Sequence, residues 1–106
     1  MDMPDIVRAY FDADRHNDTD ALAAAFSADA VVDDEGARHE GVRAIRSWWM
    51  AAKDKYHHVA EPIETTGASD QVSVRAELSG EFPNSPATLD FSFTLKDGKI
   101  IALEIR

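Results

Sequence analysis

Apolar residues near the N-terminus recur at helical spacing after a proline. They are Ile6, Val7, Tyr10 and Phe11, and together they define one apolar face. Pro4 suits the first turn of a helix, where its missing N–H costs nothing. The pattern predicts a first helix that ends in the polar segment "RHNDTD", which contains residues that commonly stop or cap helices.

Two further helices are predicted downstream. A short one carries Leu22 and Phe26 on one side and ends near "SADA", and a longer one runs from Val42 to about Lys55. Residues on the same face of the longer helix are Ile45, Trp48, Trp49 and Ala52. The two tryptophans lie about 100° apart on a helix. We therefore expect one to pack in the core or line a pocket and the other to cover a sheet edge.

The remaining pattern is typical of strands. Apolar and polar residues alternate in two long stretches, so each is a strand with one apolar side. Asp97–Gly98 between the last two strands is a strong hairpin signal. The predicted strands are Val31 to Asp34 or Glu35, Tyr56 to about Thr65, Gln71–Leu78, Ala87–Lys96 and Lys99–Ile105, and "EGARHEG" is predicted as a turn region.

The order of these elements predicts the fold class. Helices mostly precede strands, which indicates an α+β fold with the helices gathered on one face of a largely antiparallel sheet. A chain of 106 residues fits a single domain over 1–106, and no repeat, low-complexity segment or linker interrupts it.

Charge and composition narrow the classes of function. The net charge is −9, and residues 1–40 hold 11 acidic and 3 basic residues. Such a chain repels phosphate backbones and anionic lipids, so we expect no nucleic-acid partner and no membrane partner. Without cysteine, neither disulfides nor thiolate zinc sites can form. Neither a signal peptide nor an apolar run of about 20 residues is evident, so we expect a cytoplasmic protein.

Three consecutive acids follow two valines in the segment "AVVDDEGARHEG". Alternation places Asp34 on the same face as Val32 and Asp33 on the other face. Each face begins with a valine, so periodicity alone does not decide which carboxylate points inward. A solvated strand end and a functional carboxylate both remain open for Asp34.

Three sequence segments, in their order along the chain, resemble one family of proteins. "AYFDADRHNDTDALAAAFSADAVVDDEG", "GVRAIRSWW" and "FPNSPATLDFSFTLKDGKI" resemble the SnoaL-like polyketide cyclases and ketosteroid-isomerase-like proteins of the nuclear-transport-factor-2-like superfamily. The resemblance implies a cone-shaped roll, in which about three N-terminal helices pack on a strongly curved sheet and leave an apolar pocket. Such families commonly form homodimers through the sheet, and we expect the same here. This fold hosts isomerases, dehydratases, cyclases and non-catalytic binders, so the resemblance is less specific for function.

The resemblance also implies roles for individual residues. The enolising isomerases of the superfamily use an aspartate base, with a tyrosine and a protonated carboxylic acid as oxyanion donors. Asp34 matches the base and Tyr10 matches the tyrosine. The position of the acid falls on Phe91, which cannot donate a hydrogen bond. Asp14 and His58 are the residues that could take over that role.

Each candidate also has a purely structural interpretation. Tyr10 lies on an apolar face, where a core position with a locally satisfied hydroxyl is about as plausible as catalysis. For Asp14 we favour a solvated edge position, because a buried carboxyl group needs a partner or a raised pKa. Together with Asp14, the candidate ligand-binding residues are Trp48, His58, Phe91 and Phe93.

The four histidines do not form a metal-binding pattern. His57 and His58 are adjacent on a predicted strand and face opposite sides, so they cannot chelate one ion together. His16 and His39 fall in predicted turns. We therefore expect no metal, and no cofactor motif is recognised.

The sequence thus predicts a pocket protein that acts on or binds a small apolar carbonyl compound. Acid–base chemistry of the isomerase, cyclase or dehydratase type is one hypothesis, with Asp34 as base and Tyr10 as donor. The alternative is a non-catalytic ligand-binding or dimerising accessory domain of the same fold. The missing donor at Phe91 adds weight to this alternative, so whether the protein is an enzyme stays open at this point.

Overall fold

The computed structural model describes residues 3–106, which form three helices and six strands. The helices are α1 (Asp5–Arg15), α2 (Thr19–Ala24) and α3 (Val42–Tyr56). The strands are β1 (Phe26–Asp34), β2 (Ala37–Glu40), β3 (Val59–Ala68), β4 (Gln71–Ser79), β5 (Ala87–Lys96) and β6 (Lys99–Ile105). A side-chain cap begins α2, where Asp18 accepts a hydrogen bond from the backbone N–H of Ala21 at 3.1 Å.

The six strands form one open sheet in the order β2-β1-β6-β5-β4-β3. Neighbouring strands are antiparallel except for β1 and β6, which are parallel. The three helices pack on this mixed sheet, so the predicted α+β class is confirmed, and the arrangement is compatible with a cone-shaped roll.

The segment predicted as a turn region contains a strand, and that prediction is wrong. Strand β2 pairs with the end of β1, and the register joins Asp34 to Ala37. Glu35 and Gly36 form the two-residue connection, with φ of 52° and 77°. Positive φ at both residues is the signature of the type I′ turn, whose twist matches that of a hairpin. Asp97 and Gly98 adopt the same conformation, as their sequence indicates.

The boundaries of α2 and β1 also differ from the prediction. The helix ends at Ala24, and Phe26 begins β1 instead of closing the helix. Phe26 pairs with Ile100 of β6, and the register then shifts before Val31. This irregularity lies in the "SADA" segment, which contains no β-branched or aromatic residue, so the sequence there did not indicate a strand.

The start of β3 differs as well. Helix α3 continues to Tyr56, and His57 caps it in the left-handed conformation, with φ of 49°. The strand begins only at Val59, so His57 and His58 lie in the connection and not on a strand as predicted.

The core between α1 and the sheet is built from aromatic rings. Tyr10 lies within 6.3 Å, centroid to centroid, of each of four phenylalanine rings, and most of these pairs meet edge to face. Burying one such side chain contributes about 1.5–3 kcal/mol. The four partners are Phe11, Phe26, Phe91 and Phe93, all of them buried. This cluster fixes α1 against β5.

Candidate functional site

Asp34 is the last residue of β1 and lies on the helix-covered face of the sheet. It alternates with the fully buried Val32, and its carboxyl group is half-buried. Trp48 of α3 donates a hydrogen bond from Nε1 to Oδ2 of Asp34, over 3.0 Å. Asp33 points to the opposite face. The structure thus directs one of the consecutive aspartates towards α3.

The two adjacent tryptophans of α3 donate to two different carboxyl groups. Trp48 is half-buried, and its ring lies 5.8 Å from the ring of His39 on the edge strand β2. Trp49 is buried, and its Nε1 donates to Oδ1 of Asp14 over 2.9 Å. The helical angle of about 100° between neighbours directs the two indoles to these separate partners.

Asp14 is buried, with 1% of its surface exposed, so the expectation of a solvated edge position is wrong. Its Oδ1 accepts from Trp49 and His58, and its Oδ2 accepts from the backbone N–H of Ala60. Lys53 lies 3.2 Å from Oδ1. Burial alone raises the pKa of Asp14, but the hydrogen bond and charge of His58, followed by the N–H groups of Ala60 and Trp49, outweigh it and lower the pKa.

Tyr10 is buried within electrostatic range of both carboxyl groups. Its side chain is 3% exposed, and burial, followed by the negative charges of Asp14 and Asp34, raises the pKa of the Tyr10 hydroxyl well above its ordinary value. The hydroxyl therefore stays protonated at neutral pH. This makes Tyr10 a neutral hydrogen-bond donor that lies close to both acids.

Phe91 occupies a strand position close to Asp34. Asp34 pairs with Ile105 of β6, and Ile105 pairs with Phe91 of β5, so the three lie side by side across the sheet. Phe91 is buried, and its ring lies 6.4 Å from that of Phe93 in a stacked arrangement. Both rings belong to the core cluster, and neither supplies a hydrogen-bond donor to the site.

The helices cover the inner face of the sheet unevenly. Val74, Phe91 and Phe93 are buried, whereas Leu78, Leu89 and Ile105 are only half-buried. These three leucine and isoleucine side chains lie at the end of the sheet where β4 and β6 end and β5 begins, which is also the end that carries Asp34. We call this half-covered apolar strip, formed by Leu78, Leu89 and Ile105, the inner cleft.

The structure also contains a depression outside this region. It has a volume of about 520 Å³ and lies between the α1–α2 connection and α3. His16, Asp18, Arg46 and Met50 are among the residues that line it, and none of the predicted site residues takes part. Within residues 3–106, no group of three or more metal-ligating side chains is present, and no helix is long and apolar enough to cross a membrane.

Comparison with known proteins places this arrangement in a family. Residues 7–103 match the model of the SnoaL-like domain. The chain belongs to the SnoaL-like family. The resemblance predicted from the sequence is therefore confirmed. No curated protein is significantly similar to this SnoaL-like chain.

Solved structures support the same assignment. A proposed polyketide cyclase from Sinorhizobium meliloti is 61% identical, with a TM-score of 0.97 over 100% of this chain and 97% of that one. A protein from Catenulispora acidiphila with a ketosteroid isomerase-like fold, solved in complex with trimethylamine, is 20% identical. Its TM-score is 0.87 over 99% of this chain and 86% of that one. At this identity the second comparison supports the fold alone.

The sequence did not indicate Trp49 and Lys53 as site residues. Both contact Asp14, although they lie 35 and 39 positions away along the chain. The one signal in the sequence was the alignment of Trp49 and Lys53 one helical turn apart on α3, but nothing in it pointed to α1. Among the predicted site residues of this SnoaL-like chain, hydrogen bonds join Asp14 to His58 and Asp34 to Trp48. Tyr10 packs in the core against Phe91 and Phe93.

Proposed function

We propose that this SnoaL-like protein binds a small apolar carbonyl compound and catalyses proton transfer at the carbon next to its carbonyl group. Asp34 acts as the base and Tyr10 as the neutral donor to the carbonyl oxygen. The observation that carries the proposal is the pairing of Asp34 Oδ2 with Trp48 Nε1. This bond fixes the orientation of the carboxyl group, while Oδ1 has no hydrogen-bond partner among residues 3–106 and can receive a proton.

The chemistry requires few groups. Asp34 takes the proton from the C–H bond, and the electron pair moves onto the carbonyl oxygen, which the Tyr10 hydroxyl stabilises as it gains charge. Asp34 then returns the proton to the same or another carbon. Tyr10 serves this role because its raised pKa keeps its proton in place at neutral pH. The inner cleft offers apolar surface for the rest of the molecule.

Phe91 favours a second candidate function, a ligand-binding domain without catalysis. A buried phenyl ring stands where the resemblance to enolising isomerases requires an acid, so the carbonyl oxygen has one neutral donor instead of two. Loss of an oxyanion donor typically lowers kcat by about 10²–10³. A protein with this site would then bind the carbonyl compound and turn it over slowly or not at all.

Hydrogen–deuterium exchange separates the two functions. With 2-tetralone in D₂O, we expect the protein to accelerate exchange of the C–H protons next to the carbonyl group, followed by NMR. Asp34→Asn removes the base and is expected to lower this rate by about 10²–10⁴, the usual contribution of a general base. Asp33→Asn is the matched control, because Asp33 lies on the opposite face of the same strand. This variant should catalyse exchange of the 2-tetralone protons at the wild-type rate.

The outcome assigns the function. If Asp34→Asn keeps the wild-type exchange rate, Asp34 is not the base. If the wild-type protein binds the ketone but does not accelerate exchange, the binding function replaces the catalytic one. Binding is measured by thermal denaturation, since a ligand at 100 times its Kd stabilises the folded state by about 2.7 kcal/mol.

We further propose that the protein forms a homodimer through the outer face of the sheet. Small hydroxyl side chains occupy the centre of that face, where Ser73 pairs with Ser92. Beside them Arg75 lies between Glu64 and Asp90, at 3.8 and 3.4 Å. A face that carries both charge signs can pair with a rotated copy of itself. The predicted cytoplasmic location stays a prediction.

A further inference from the structure

His58 lies at the far end of the inner cleft from Asp34. It precedes β3 by one residue, and alternation puts it on the same face as the buried Ala60. Gly80 lies beside it: a Cβ at Gly80 would come within 3.0 Å of the His58 Cα and 2.8 Å of the Tyr56 carbonyl oxygen. The absence of a side chain at Gly80 therefore allows the backbone of this connection to pack closely. The His58 side chain remains 12% exposed, whereas Asp14 beside it is 1% exposed.

The hydrogen bond to Asp14 determines which nitrogen of His58 carries the proton. Nε2 of His58 lies 3.0 Å from Oδ1 of Asp14. Because the pKa of Asp14 is lowered, Asp14 is ionised at neutral pH and can only accept hydrogen bonds. In the neutral form of the imidazole, the proton is therefore on Nε2 and Nδ1 is an acceptor. Within residues 3–106, Nδ1 has no hydrogen-bond partner. It is also absent from the buried side-chain atoms without a partner, so it is accessible to solvent or a ligand.

Helix α3 spans the distance between His58 and Asp34. Trp48 contacts Asp34, and Lys53 contacts the carbonyl oxygen of His58. Trp48 and Lys53 are five positions apart, which corresponds to about 7.5 Å along the helix axis. Leu78, Leu89 and Ile105 of the inner cleft lie on the strands between these two ends.

We propose that the site takes an elongated apolar carbonyl compound with a hydroxyl group at its opposite end, and that this hydroxyl donates a hydrogen bond to Nδ1 of His58. The inference rests on the proposed function, because it places the carbonyl group at Asp34 and Tyr10. His58 is then a specificity-determining residue of the same site. Asp14 acts through His58 as a positioning residue, since it holds the imidazole in the tautomer that accepts.

A matched pair of ligands and a matched pair of variants test this assignment. Flavone and 4′-hydroxyflavone differ by one hydroxyl group at the end opposite the carbonyl group, and binding is followed by quenching of tryptophan fluorescence. We expect wild-type protein to bind 4′-hydroxyflavone about three- to tenfold more tightly, the usual contribution of one hydrogen bond. His58→Gln keeps an N–H that can reach Asp14 but lacks the Nδ1 acceptor, so it should lose the preference and keep its affinity for flavone.

His57→Gln is the control variant. His57 is exposed and pairs with Glu81 at 3.0 Å, so it should keep the preference for 4′-hydroxyflavone. The inference is overturned if wild-type protein shows no preference or binds neither compound. It is equally overturned if His58→Gln keeps the preference, or if ¹⁵N NMR of the imidazole shows the neutral tautomer with the proton on Nδ1.

Asp34→Asn distinguishes this inference from the proposed function. This variant should lose exchange of the 2-tetralone protons while it keeps the preference for 4′-hydroxyflavone. If exchange depends on Asp34 but the hydroxyl preference does not depend on His58, the proposed function stands and the inference about His58 fails. If the preference depends on His58 but no exchange occurs, the catalytic function fails and the binding site remains.

Discussion

At the scale of single residues, the neighbouring tryptophans should contribute unequally to stability. Trp49→Phe leaves the buried carboxyl group of Asp14 without one of its donors, whereas Trp48→Phe leaves the half-buried Asp34 open to water. Loss of a hydrogen bond to a buried charged group costs about 1.5–3 kcal/mol, and loss of one that water can replace costs less. We expect Trp49→Phe to reduce the free energy of unfolding by at least about 1 kcal/mol more than Trp48→Phe, as measured in urea.

The comparison is matched because each change replaces an indole of α3 with a phenyl ring. Equal losses in the two variants would show that the hydrogen bond of Trp49 to Asp14 adds nothing beyond packing.

Asp14 should make the stability depend on pH. A carboxyl group whose pKa is lowered in the folded state contributes stability that is fully present above its unfolded pKa of about 3.9 and is lost as the pH falls through the folded pKa. Asp14→Asn removes this contribution and places an amide N–H group opposite other donors. We expect a loss of about 2–4 kcal/mol at pH 7 and a difference from wild type that narrows below about pH 4.

Urea denaturation between pH 3 and 7 provides the measurement, and Asp12→Asn provides the control. Asp12 is exposed on the same helix, so its variant should follow the wild-type curve. If the difference in unfolding free energy between Asp14→Asn and wild type were the same at every pH, Asp14 would stabilise the fold through packing and not through its charge.

At the scale of structural elements, Gly36 in the β1–β2 connection and Gly67 near the end of β3 should differ in how well they accept alanine. Gly36 has φ of 77°, and a Cβ added there would meet nothing within 4 Å, so Gly36→Ala meets only backbone strain, which costs about 1 kcal/mol. Gly67 has φ of 96°, and a Cβ there would come within 2.4 Å of the Gln71 carbonyl oxygen. Gly67→Ala therefore combines strain with a backbone clash and should destabilise the protein clearly more.

Thermal unfolding of the two variants measures this difference. The β1–β2 hairpin is short and lies at the sheet edge, while the β3–β4 hairpin joins two long strands. A larger loss for Gly36→Ala than for Gly67→Ala would contradict the space found at these two positions.

The same elements show what the sequence can and cannot predict. The boundaries of β5 follow from its apolar–polar alternation, and the Asp-Gly turn marks where β5 ends and β6 begins. Both are local signals. Strand β2 was missed because "ARHE" contains no β-branched or aromatic residue, and its stability comes from pairing with β1. The burial of Asp14 was missed for a related reason. Its donors lie on α3 and β3, and periodicity within α1 carries no information about them.

At the scale of the whole molecule, the distribution of charge bears on self-association. The net charge is −9, and 11 of the 20 acidic residues lie within residues 1–40. Residues 3–40 contain α1, α2 and the β1–β2 hairpin, whereas the outer face of β3, β4 and β5 carries Glu64, Arg75 and Asp90. A dimer formed through that face keeps most of the negative charge away from the interface. Its stability should therefore depend only weakly on salt.

Sedimentation velocity tests the proposed dimer and the face that forms it. We expect a mass of twice 11.7 kDa for wild-type protein at micromolar concentration. Arg75→Glu places a third acid beside Glu64 and Asp90 on the outer face and should shift the equilibrium towards monomer, since like charges repel across a shared interface. Arg8→Glu makes the same change of charge on the exposed side of α1 and should leave the dimer intact. A monomer at all concentrations, or dissociation caused by Arg8→Glu alone, would exclude the outer face of the sheet as the interface.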